Sequence, residues 1–82
     1  MAWNVYILRC ADSSLYTGIA MDVNKRLEEH NSDNKKAAKY TRARRPVKLV
    51  YSETCKNRSE AASREASIKR LSREEKQSLI AG

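Results

Sequence analysis

From Trp3 to Cys10 apolar residues fill both alternating faces, with Trp3, Val5 and Ile7 on one and Tyr6, Leu8 and Cys10 on the other. That is the pattern of a strand covered on two sides, and it predicts a central position in a sheet. The turn cluster Ala11-Asp12-Ser13-Ser14 follows, and Leu15 to Ala20 returns as a second strand, completing an antiparallel hairpin. Partner numbers with an even sum would place Tyr6 and Tyr16 on one face and an odd sum on opposite faces; the turn does not decide between them. Asp22 is suited to cap a helix from about Val23 to Asn31, ended by Asn31 or Ser32. On that helix Arg26 and His30 flank the buried stripe of Val23 and Leu27, while Lys25, Glu28 and Glu29 point outward.

The segment from Asn31 to Arg45 is polar and basic without periodicity and reads as a mobile loop, with room for a helical turn through Lys36 to Thr41. After Pro46, the alternation of Val47, Leu49 and Tyr51 with Lys48 and Ser52 predicts a third strand, half-buried and at the sheet edge. Asn57 followed by Glu60 resembles a capping box opening a helix from about Arg58 to Arg70, with Ala61, Ile68 and Leu71 facing inward. Glu65 falls about 40° from Ala61 around that helix, inside the apolar stripe. A buried carboxylate costs several kcal/mol unless an arginine or a metal ion offsets it. Ser72 with Glu75 predicts a further short helix through Leu79 and Ile80. The expected class is α+β, a three-stranded antiparallel sheet flanked by helices in the order β-β-α-β-α-α, forming one domain over residues 1–82.

Composition narrows the function. A chain of 82 residues with 40% hydrophobic content supports one small core. The formal net charge of +7, from 17 Lys and Arg against 10 Asp and Glu, favours a polyanionic partner, with nucleic acid first among them. No acid occurs from Asn34 to Ser52, where Lys35, Lys36, Lys39, Arg42, Arg44, Arg45 and Lys48 crowd together with Tyr40 and Tyr51 as candidate stacking surfaces. A solvated basic loop is the plainer reading of the same run. Cys10 and Cys55 match no metal or redox spacing and read as buried reduced thiols, which with the lack of a signal-like or membrane-spanning run suggests the cytoplasm and no membrane partner. His30 is the only histidine, so a multi-histidine metal centre is excluded and oxygen donors are left.

Tyr6, Tyr16, Arg26, His30 and Glu65 together are the residue types that phosphodiester hydrolysis needs. A phenol orients or deprotonates water, a guanidinium neutralises phosphate, an imidazole shares a proton and a carboxylate holds a divalent metal. A free phenol with a pKa near 10 is only about 0.1% ionised at pH 7, so a tyrosine base needs a neighbour that takes its proton or lowers its pKa. Each residue also has an ordinary structural role open to it: strand tyrosines as core aromatics, Gly18 as a bulge or close contact, and Glu65 with Arg26 as an ion pair.

The order Asn4-Val5-Tyr6, Tyr16-Thr17-Gly18, Arg26, His30 and Glu65 in Arg64-Glu65-Ala66-Ser67-Ile68-Lys69 resembles the GIY-YIG nuclease family across essentially the whole chain, and most closely its small stand-alone members. Asn4 replaces the first glycine, Thr17 replaces an isoleucine, and Ile19 stands where some members carry a lysine. The resemblance implies hydrolysis of DNA, branched and single-stranded forms included and RNA left open, through one divalent ion, Mg2+ or Mn2+, bound by Glu65. It places Arg26 against the transition-state charge and Tyr6 or Tyr16 at the water, assisted by His30. Targeting would come from the basic surface, from self-association or from a protein partner. The alternative is a catalytically weak or inactive nucleic-acid-binding protein that uses the loop from Lys35 to Lys48.

Overall fold

The computed structural model describes residues 2–82. The sheet has the order β2-β1-β3, with β1 (Trp3–Arg9) between β2 (Leu15–Ala20) and β3 (Lys48–Cys55), and both pairings are antiparallel. In the hairpin Tyr6 pairs with Gly18 and Leu8 with Tyr16, the even-sum register. Because side chains alternate with period two, Tyr6, Tyr16 and Gly18 share one face.

Both faces of β1 are covered, as its unbroken apolar run requires. Val5 and Ile7 pack with Ala61 and Ile68 of α3 (Arg58–Lys69) and with Leu79 and Ile80 of α4 (Arg73–Ala81). Tyr6 and Leu8 pack on the other side with Val47 and with Val23 and Leu27 of α1 (Val23–Ser32). The caps predicted from sequence form: the Asp22 carboxylate accepts the Lys25 N–H at 3.0 Å and the Asn57 side chain accepts that of Glu60 at 2.8 Å. Glu60, however, reaches back to the Lys56 N–H rather than that of Asn57, so only Ser72 and Glu75 close a complete capping box.

Several expectations are corrected. The strict alternation of Val47, Leu49 and Tyr51 fails because β3 carries a bulge: Ile7 pairs with Tyr51 but Leu8 with Leu49, leaving Val50 as the extra residue. Tyr51 therefore turns into the α3-side core, its hydroxyl donating to Glu53 at 3.0 Å, and is not a stacking surface of the basic loop. The segment after α1 contains the helical turn expected there and is anchored by long-range hydrogen bonds that the sequence did not suggest. Asn31 exchanges two hydrogen bonds with the Val47 backbone at 2.8 and 3.0 Å, Arg45 Nε donates to the His30 carbonyl at 2.7 Å, and the four residues Lys39–Arg42 form a short helix, α2. Glu29, expected to face outward, turns back to Arg26 at 3.1 Å and Lys36 at 3.8 Å. No helix among the described residues is long and apolar enough to cross a membrane.

Candidate active site

The site grows from the pairing of Tyr6 with Gly18. A Cβ at Gly18 would lie 2.5 Å from the Tyr6 hydroxyl and 2.7 Å from Cζ, so the missing side chain is what lets the phenol lie over the edge strand β2. Gly18→Ala is expected to lower stability by about 1–3 kcal/mol through overpacking, outweighing the smaller gain from stiffening the unfolded chain. Denaturant unfolding checks this, and a variant as stable as the wild type would refute the close approach.

Beyond Gly18 the Tyr6 hydroxyl meets His30 Nε2 at 2.9 Å, and His30 Nδ1 meets Thr41 Oγ1 at 2.7 Å. Thr41 has one hydroxyl proton and donates it to the Ala38 carbonyl at 3.0 Å, so its oxygen accepts Nδ1–H. The Ala38 N–H also approaches Nδ1, but at 3.5 Å, and the shorter contacts decide the tautomer. Nε2 is then the bare nitrogen, and Tyr6 donates to it. Both rings are fully enclosed, with Tyr6 1% and His30 0% exposed. Burial pushes His30 down to about 4, helped by the Arg26 and Arg45 charges and opposed by Glu29. Burial likewise pushes Tyr6 up to about 12, with Tyr16 and Glu65 adding to the rise and Arg26 opposing it. At neutral pH the pair is a phenol and a neutral imidazole.

Tyr16 stands on the same face and is half-exposed. Its ring meets His30 edge-on at 5.3 Å and stacks on Tyr40 at 5.9 Å, while the Arg44 guanidinium lies 3.9 Å from the Tyr40 centroid and holds Asp12 at 3.1 Å. A continuous line of contacts thus runs from the hairpin turn to His30. Arg26 is half-buried and donates to Glu29 at 3.1 Å and to the Lys36 carbonyl at 2.6 Å.

Glu65 lies on α3, across the sheet from Tyr6, and its charge still reaches the phenol. It is half-buried beside Ile19 of the edge strand, in a cavity of about 440 Å³ that Arg58, Ser59 and Ala62 also line. The cation that offsets it is Lys69, at 3.4 Å one helical turn on, and not Arg26. Among the described residues no three carboxylate, imidazole or thiol groups converge into a cage for a metal. A single carboxylate facing open space nevertheless fits a hard ion of the Mg2+ type, which keeps several waters and takes its remaining ligands from substrate phosphate.

The basic run divides. Lys35, Lys39 and Lys48 are exposed, and among the described residues none has a carboxylate partner. Lys36 faces Glu29 at 3.8 Å, and Tyr40 is 37% exposed. Arg42 is exposed and donates to the Asn34 carbonyl at 2.8 Å, whereas Arg45, with Nη2 buried and unpartnered among the described residues, is tied into the fold through His30 and Asn34. Sequence reasoning missed Thr41, Glu29 and Asp12. A hydroxyl in a four-residue helix carries no periodic signal, and neither acid sits in a motif.

The sequence model of the GIY-YIG catalytic domain matches residues 2–78. The chain belongs to the GIY-YIG family. Among its relatives, a UPF0213 protein of Desulfotalea psychrophila is 57% identical over 79 residues, covering 96% of this chain and 71% of that protein. A UPF0213 protein of Staphylococcus epidermidis is 55% identical over 76 residues, covering 93% and 90%. The solution NMR structure of a UPF0213 protein from Bacillus halodurans superposes with a TM-score of 0.62 at 42% identity, over 99% of this chain and 84% of that one. A solution NMR structure of an E. faecalis protein gives 0.66 at 40%, with the same coverage. The small α+β GIY-YIG fold is therefore shown, and with it a nuclease-type domain, a hydrolase class acting on phosphodiester bonds of nucleic acid. Nucleases of this family typically use divalent metals.

Proposed function

We propose that the chain is a divalent-metal-dependent endonuclease that hydrolyses DNA phosphodiester bonds at the β2 edge. The observation that carries the reading is the shared face of Tyr6, Tyr16 and His30, with Glu65 flanking the same edge strand beside an open cavity.

Glu65 would hold the ion, Mg2+ or Mn2+, which when bound supplies charge stabilisation at a phosphate oxygen. Lys69 is more than half exposed and free to swing aside when Glu65 takes another partner. Tyr16 is the phenol that substrate reaches: its hydroxyl oxygen accepts a hydrogen bond from the attacking water and so orients it, while the proton that the water loses passes to bulk solvent. Tyr6 and His30 are closed off from solvent and serve as positioning residues, their mutual bond fixing the imidazole edge on which Tyr16 rests. Arg26 faces the phosphate from the α1 side after exchanging Glu29 for the more highly charged phosphate oxygens. Lys35, Lys36, Lys39 and Lys48, with Tyr40 and Arg44, supply the surface on which the strand lies, while Arg42 and Arg45 hold that surface in shape.

A second reading, a nucleic-acid-binding protein with little or no turnover, is favoured by Arg26 already bound to Glu29. Pure protein incubated with single-stranded, duplex and branched DNA, and with RNA, in magnesium, manganese or chelator separates the two. Cleavage of DNA only when metal is present is the expected result. Binding to all of these without cleavage of any overturns the nuclease reading in favour of the second.

A further inference from the structure

We infer that Arg58 binds a backbone phosphate of the nucleic acid next along the strand from the one held at Glu65; this rests on the function proposed above. The cavity beside Glu65 has one cation on its lining, Arg58, and its other walls are Ile19, Ser59 and Ala62. Ile19 is apolar, so on this side of β2 nothing else in the lining can neutralise a phosphate.

Arg58 is exposed, and among the described residues it has no acidic partner, whereas Arg26, Arg44 and Arg64 each hold a carboxylate. Its guanidinium lies 5.6 Å from the centroid of Trp3, within cation–π range, which favours one orientation. Trp3 packs against the core, so the platform is fixed. The result is an oriented, uncommitted guanidinium at the cavity wall, a geometry suited to forked recognition of phosphate.

Arg58 and Glu65 are seven residues apart on one helix face, about 10.5 Å along the axis. That spacing puts Arg58 beyond the reacting phosphate and makes it a binding residue. Arg70 is the matched control. It is also exposed and lacks an acidic partner among the described residues, but it follows the end of α3 about 120° around the axis from Arg58.

The test is binding of a fluorescently labelled DNA duplex in chelator, followed by anisotropy over a salt series, for wild type, Arg58→Ala, Arg58→Lys and Arg70→Ala. Arg58→Ala is expected to weaken binding about fivefold at low salt and to reduce the slope of log affinity against log salt by about 0.9. Arg58→Lys should keep the slope, and Arg70→Ala should match wild type in both. In metal, Arg58→Ala should raise KM and leave kcat within about twofold. Wild-type affinity and slope in Arg58→Ala overturn the assignment, as does an equal change in Arg70→Ala, which would show only diffuse charge. Loss of binding in Arg58→Ala by a protein that cleaves nothing sinks the nuclease reading and leaves Arg58 standing. Metal-dependent cleavage with Arg58→Ala indistinguishable from wild type does the reverse.

Discussion

Glu65→Ala is expected to lower metal-dependent cleavage by at least about 10³-fold, the several kcal/mol of charge stabilisation that a bound ion supplies at phosphate. The same substitution should scarcely touch the fold. The only partner of Glu65 among the described residues is Lys69, an i,i+4 pair at 3.4 Å with the lysine more than half exposed, and such pairs contribute about 0.3–0.5 kcal/mol. Removing a half-buried carboxylate from beside Ile19 and Ala62 also removes a desolvation cost, so the net change in stability should stay within about 1 kcal/mol. Binding of DNA in chelator should persist, since the basic surface lies across the sheet on and around α2. Cleavage rates, urea midpoints and DNA affinity measured on the same preparation check all three. Equal cleavage by wild type and Glu65→Ala would remove Glu65 from the metal site and point to a contaminating nuclease.

What the sequence could disclose about this site follows from how each position is held. Tyr6, Tyr16 and Gly18 lie on a hairpin, where alternation leaves only two arrangements, and the even-sum register brings all three to one face. The caps at Asp22, Asn57 and Ser72 were legible because each satisfies a local N–H within three residues. The order of residues 31–45 was not, because it depends on Asn31 and Arg45 reaching backbone groups 15 and 16 positions away. Polar side chains with such distant partners look, in sequence, like any solvated loop. Glu65 shows both cases: its place on the inner stripe follows from helical periodicity, whereas the choice of Lys69 over Arg26 as its partner depends on which face of the sheet α3 covers. The division of the basic run has the same origin. Seven cations in one acid-poor stretch look equivalent until Arg45 is seen bonded inward and Arg42 tied to the Asn34 carbonyl at the surface.

The enclosure of His30 makes stability fall on mild acidification, approaching about 3 kcal/mol in total by pH 4. In the unfolded chain the imidazole titrates near its ordinary 6.5, whereas in the fold burial holds it down to about 4. Above the unfolded value neither state binds the proton and the full stability is present. As pH falls between the two values the unfolded chain takes up a proton that the folded one refuses, so stability declines, and below about 4 both are protonated and the loss is complete. Asp12, Asp33 and Glu75 are also depressed, but by hydrogen bonds from Ser14, from the Lys36 and Lys35 amides, and from Ser72. Being carboxylates, they act only at lower pH, so the window from about pH 6.5 to 5 belongs to His30. Urea unfolding of wild type at pH 7.5 and pH 5 should show the loss, and His30→Gln, though less stable at pH 7.5, should show little change between them. Thr41→Val at pH 7.5 should cost about 1–3 kcal/mol, because Nδ1–H is left buried without an acceptor. A wild type equally stable at the two pH values would mean that the imidazole is not held neutral, and the direction assigned to the Tyr6 proton would go with it.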